Sequence, residues 1–177
     1  MNPELEKPGL LHPRPDGELC SSGQQTDARR PADVYLPRWR RGLPVALDFA
    51  VTSGLRSSIM TDTVRDRAAA ISSYEQHKRV HNNTESDCEA QGIKFIPIVA
   101  EAAGGGWGPS AEQVFSELAK VKTLVSGELR NSVRTHLYQT LGLTLHRENA
   151  RAILRRSTIA SIDYTALAVA ATVQSPP

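Results

Sequence analysis

Asp48 sits in Val45-Ala46-Leu47-Asp48-Phe49-Ala50-Val51, a segment that is otherwise wholly apolar. Such a run reads as a buried strand carrying one carboxylate. An unpaired buried carboxylate is costly, so something must compensate it. A divalent cation is one of the few partners strong enough. Asp33, in Arg30-Pro31-Ala32-Asp33-Val34, precedes it by a spacer of fourteen residues. Two carboxylates on adjacent strand ends can share Mg²⁺ or Mn²⁺; Mg²⁺ in particular takes oxygen ligands and keeps several waters. An ion held this way polarises a phosphate oxygen and acidifies an attacking water, which is phosphodiester chemistry. The plainer alternative makes Asp33 a turn residue and Asp48 the salt-bridge partner of an arginine.

Other residues compete for attention. Glu101 ends an apolar strand before a glycine loop, as a further acidic ligand or as a solvated strand end. His77 and His81 are spaced for one helix face, but no glutamate follows His77 in the HExxH manner, and Cys88 is the only nearby third donor. Gly104–Gly108 lacks the Gly-Lys-Ser/Thr of a P-loop, so it reads as a turn seating Trp107 as a packing anchor. Two basic features suit nucleic acid. Arg38-Trp39-Arg40-Arg41 interleaves cations with one aromatic, for phosphates and stacking. Arg147, Arg151 and Arg155 form one ridge of a helix, either as a DNA contact or as a solvated face.

The elements that must position these residues follow from the pattern. Leu10-Leu11 reads as a short edge strand and residues 16–30 as a flexible loop. Val34-Tyr35-Leu36 is a strand ended by Pro37. Along Val45–Val51 side chains alternate faces, so Asp48 shares its side with Ala46 and Ala50, while the bulky side should pack on a helix. Residues 62–81 read as a helix with Val64, Ala68, Ile71, Tyr74, Glu75 and Lys78 on one stripe. A short helix over 85–90 stops at Gly92, and Lys94–Glu101 is a strand that Pro97 marks as an edge or bulged one. Helices are expected over 110–123, 126–140 and 145–156. Strands early and helices late give a mixed α/β core with a helical extension. The divisions are 1–29 as a flexible segment, 30–108 as the core, 109–156 as the extension and 157–177 as a tail.

At 177 residues the chain suits one domain with a tail. A net charge of +2 is too weak to argue for nucleic acid without the local clusters. Two cysteines make neither a disulfide framework nor a cysteine zinc site, so a reduced, intracellular chain is the default. Neither a signal peptide nor a membrane-spanning run is expected.

Pro31-Ala32-Asp33, the spacer and Leu47-Asp48-Phe49-Ala50-Val51-Thr52 resemble the PD-(D/E)XK nuclease superfamily. More narrowly they resemble the restriction-like endonuclease domains that some retrotransposons encode beside a reverse transcriptase. The helix with Tyr74, Lys78 and His81, the strand Phe95–Glu101, and the phrases Arg30–Phe49, Ile93–Gly108 and Leu145–Arg156 look like the family's elements too. The resemblance implies a restriction-endonuclease-like mixed sheet flanked by helices and a Mg²⁺- or Mn²⁺-dependent endonuclease acting on DNA in the nucleus. RNA or a reverse transcriptase domain of the parent polyprotein are its further partners. Asp33 and Asp48 would be catalytic and metal-binding, and Glu101 a further metal ligand. The chain departs from the family's pattern in two places. Alanine separates Pro31 from Asp33, and Ala50 stands where a lysine is usual. Some superfamily members carry that lysine on the following helix, where Lys78 fits as the catalytic lysine. The family's first helix is expected to be truncated, with Glu4 or Glu6 standing in for its glutamate. The alternative is an inactive nucleic-acid-binding or interaction remnant of the same fold.

Overall fold

The computed structural model describes residues 3–11, 31–104 and 106–156. Four strands form one mixed sheet in the order β1 (Glu4–Leu5), β2 (Val34–Leu36), β3 (Val45–Thr52) and β4 (Lys94–Glu101). β1–β2 and β2–β3 are antiparallel and β3–β4 is parallel. The parallel return requires a crossover, built from α1 (Met60–Arg65), α2 (Ala69–Val80) and α3 (Thr84–Ala90). α4 (Pro109–Ser126) and α5 (Arg130–Arg156) follow β4. The chain divides into two compact units, 1–146 and 147–177. The sheet belongs to the first, and the end of α5 to the second.

Strand alternation sorts the core onto two faces. Val45 and Leu47 of β3 join Leu36, Trp39, Ile96 and Ile98 against Ala111, Val114 and Phe115 of α4. Trp107 meets Phe115 edge-on at 5.0 Å between ring centroids, the anchor expected of the glycine loop. On the other face Ala46 and Phe95 pack with Cys88 of α3, Ile93 and Leu10 and Leu11. Among the described residues no helix is long and apolar enough to cross a membrane.

Several expectations are corrected. The edge strand of the sheet is Glu4–Leu5, while Leu10 and Leu11 are buried, Leu11 within a β-bridge, so residues 3–11 join the fold. Residues 12–30 and 157–177, hence the loop and tail expectations, lie outside the described residues. The helix expected over 62–81 breaks at Asp66, whose Oδ1 accepts the Ala68 N–H at 2.9 Å. That local bond replaces the helical ladder, and Val64 ends up exposed. Beyond Leu47 the bulky side of β3 is not covered: Phe49 is 43% and Val51 51% exposed, because α4 packs mainly on β4. The last two expected helices are one, α5, which runs through Gly142.

Pro97 does lie on an edge strand, since β4 is last in the sheet. The C-terminal end of its outer edge is closed by the following loop. The Glu101 N–H donates to Gly106 O and the Gly108 N–H to Val99 O. This turn delivers α4 beside α2, where Glu75 is only 6% exposed. Its carboxylate accepts from the Ser110 N–H at 3.2 Å and from the Ser110 hydroxyl at 3.0 Å. A carboxylate at a helix N-terminus satisfies orphan N–H groups and complements the helix dipole. Arg79 donates to the same hydroxyl at 2.9 Å and pairs with Glu85 of α3.

This junction leaves no room at Gly108. A Cβ there would collide with Glu75 Oε1 and lie 2.9 Å from Ile71 Cγ2. Gly108→Ala is expected to destabilise the fold by roughly 1–3 kcal/mol, the usual cost of overpacking. Urea unfolding would read this as a lower midpoint at unchanged slope, and an unchanged midpoint would mean the junction is loose.

Candidate active site

β2 pairs Val34 with Leu47. One step further the same register sets Asp33 opposite Asp48. β2 is too short to supply a backbone acceptor there, and the Asp33 carboxylate takes over: Oδ2 accepts the Phe49 N–H at 2.7 Å. Asp33 is thus exposed but held against the β3 backbone. On its other side the Asp33 carbonyl accepts the Glu6 N–H at 2.7 Å, so Glu6 sits beside the pair.

Asp48 points to the face that carries α2. Ala46 and Ala50 leave space beside it, and Lys78 fills that space. Lys78 Nζ lies 2.9 Å from Asp48 Oδ2, with the two side chains 25% and 15% exposed. The partner of the strand carboxylate is therefore a lysine from α2 and not an arginine. Burial pushes the Asp48 carboxyl above its ordinary 3.8, the Lys78 hydrogen bond and charge pull it back, and the Asp33 charge pushes it up again. Two carboxylates and one ammonium converge here, with burial and carboxylate repulsion acting against the charged form.

The other proposed residues lie apart from this centre or have structural work. Glu101 pairs with Thr52, four residues beyond the Asp48–Pro97 pair. At about 3.3 Å per residue that is roughly 13 Å along the sheet, too far to share an ion. Its oxygens accept the Gly54 N–H at 3.3 Å and the Gly104 N–H, tying two loops together. The expectation of Glu101 as a metal ligand is corrected accordingly. Among the described residues no group of three or more His, Cys, Asp or Glu could hold a metal, so His77, His81 and Cys88 make no such site. Glu75 shares Lys78's helix stripe but faces α4.

Trp39 is also corrected. It is 8% exposed within the β-sheet–α4 core and has no face for a base. A bulky indole between basic residues satisfies the hydrophobic core first, while Arg38, Arg40 and Arg41 stay exposed. Arg40 pairs with Glu117 at 3.6 Å. In the second unit Arg147, Arg151 and Arg155 are exposed on one helix. Glu148 engages two of them, Arg151 at 2.6 Å and Arg147 at 3.5 Å. Sequence reading missed the polar hollow beside α2, lined by Arg56, Ser58, Ile59, Ser73, Tyr74 and His77. Its residues come from a loop and a helix, with Arg56 and Tyr74 18 positions apart, so no local pattern marks it.

Compared with protein-family models, curated proteins and solved structures, the chain matches none.

The raised Asp48 carboxyl has a stability consequence with a definite sign. The folded chain holds this proton to higher pH than the unfolded chain. The contribution is therefore full below about 3.8 and is lost as pH rises through the folded value. Asp48→Asn keeps an oxygen for Lys78 and removes the charge. It is expected to melt above wild type at pH 7, with the gap closing as pH falls toward 3.8. Thermal unfolding across that range tests this, and a wild type that melts as high as the variant at pH 7 would contradict it.

Proposed function

We propose that this chain is a PD-(D/E)XK-like, divalent-metal-dependent DNA endonuclease domain of a retroelement-derived protein. The observation that carries the proposal is the reach of Lys78 from α2 to Asp48 at 2.9 Å, with Asp33 in register across the strand pair. An Asp-Asp-Lys set is thereby assembled although position 50 is alanine. A mixed four-stranded sheet with helices on both faces agrees with the restriction-endonuclease-like architecture the resemblance implies.

The residues fit Mg²⁺ or Mn²⁺. Such ions need only one or two carboxylates beside waters and substrate oxygens. Phe49 N–H and Lys78 each engage one oxygen of Asp33 and Asp48, and a cation would relieve the repulsion between the two carboxylates. When bound, the ion supplies an acidified water and neutralises charge on the scissile phosphate. Asp33 and Asp48 would hold it. Lys78 places a positive charge where the phosphate's negative charge grows, which lowers the barrier electrostatically. Exposed Arg38 and Arg41 serve the DNA backbone, as do the arginines of α5. Nuclear DNA as the target, and RNA or a reverse transcriptase domain as further partners, follow from the family resemblance alone.

A second reading is an inactive nucleic-acid-binding remnant. The direct Lys78–Asp48 pair favours it, because the lysine balances the carboxylate without an ion.

Plasmid nicking with Mg²⁺ or Mn²⁺ separates the two. Wild type is expected to nick, Asp48→Ala to be inactive, and Lys78→Ala to be slower by about 10²–10³-fold, as for loss of one charge-stabilising group. Equal nicking by all three would reveal a contaminant and sink the proposal. Salt-sensitive DNA binding without nicking would establish the remnant.

A further inference from the structure

We infer that the hollow beside α2 is a subsite for one unpaired nucleotide of the strand being cut. This inference rests on the endonuclease reading for its location but on separate residues for its chemistry. The cavity is about 270 Å³ and is lined by Arg56, Ser58, Ile59, Ser73, Tyr74 and His77. That is below the roughly 300–1,000 Å³ of a whole drug-sized site, which suits a single unit of a longer ligand.

Its lining is cationic, hydroxylic and aromatic, with no carboxylate. Arg56 is anchored by its Nε donating to Ser53 O at 3.4 Å, and its guanidinium carbon stands 5.5 Å from the Tyr74 ring centroid. A guanidinium held over a ring keeps its planar fork of donors in a fixed direction, the geometry that recognises phosphate. Tyr74 and His77 have ring centroids 5.6 Å apart, and His81 extends the row at 5.1 Å. Ring faces beside a phosphate-binding cation recognise bases by stacking. Bases inside a duplex cannot offer that face, so the ligand is an unpaired nucleotide.

The location links the hollow to the centre. Tyr74 lies one helical turn before Lys78, and residues four apart on a helix are neighbours on its surface. A strand whose phosphate meets Lys78 would run its neighbouring nucleotide toward the Tyr74 end of this stripe, where the hollow opens.

The test is fluorescence anisotropy of a fluorescein-labelled single-stranded DNA 12-mer on the full chain in EDTA, with circular dichroism to check folding. Arg56 and His77 are exposed, so Arg56→Ala and His77→Ala should fold. Salt-sensitive binding by wild type is expected, weakened at least about tenfold by Arg56→Ala, with His77→Ala also weaker. Competition by a duplex of the same sequence should be poorer than by the unlabelled single strand. Strong competition by adenosine monophosphate alone would assign the hollow to free nucleotides and overturn the strand subsite. Wild-type affinity in both variants, or no binding by wild type, would also overturn it. Arg56-dependent binding without any plasmid nicking would instead remove the endonuclease reading and leave the nucleotide subsite standing.

Discussion

A carboxylate in the middle of an apolar strand has to be balanced, and here the balance comes from Lys78 across the β3–α2 interface. Asp48 cannot be solvated fully at its depth, and the ammonium 2.9 Å away is what makes the charge tolerable. Asp33 works in the opposite sense. It repairs the ladder where β2 runs out, and in doing so brings a second negative charge to the first. Asp48 is thus under opposing electrostatic influences held in place by backbone register. Functional sites commonly carry such local costs against stability.

Lys78 is useful only if α2 is fixed, and Glu75 fixes it. One helical turn before Lys78, Glu75 binds the N-terminus of α4 through Ser110, while Arg79 joins Ser110 to Glu85. Three helices are therefore tied by one polar junction beside the outer edge of β4. Gly108 exists to let the chain pass Glu75. The residues that look most catalytic by type are divided by this geometry into two groups. Asp33, Asp48 and Lys78 meet, whereas Glu75 and Glu101 bind backbone N–H groups and hold the frame.

The strands were legible because their patterns were local. The apolar run around Asp48 and the Pro97 edge strand need only alternation and burial to be read, and both fall where expected. Lys78's reach was legible because its stripe continued from Ile71. The helix break at Asp66 was not read, although an aspartate two residues before a free N–H is a recognisable competitor of the helix. α5 runs through Gly142 because one glycine costs only about 1 kcal/mol, too little to end a long helix. Trp39 and Glu101 were misassigned because their fates are tertiary. Nothing local says that an indole will be drawn under α4, or that a strand-end glutamate will meet two glycine N–H groups.

Metal binding by the aspartate pair can be separated from turnover. Isothermal titration of Mn²⁺ into the full chain, without nucleic acid, addresses it directly. One ion per chain is expected, with binding lost in both Asp33→Asn and Asp48→Asn. Binding that survives both substitutions, or no binding by wild type, would show that Lys78 alone satisfies Asp48 and that the pair is no metal site.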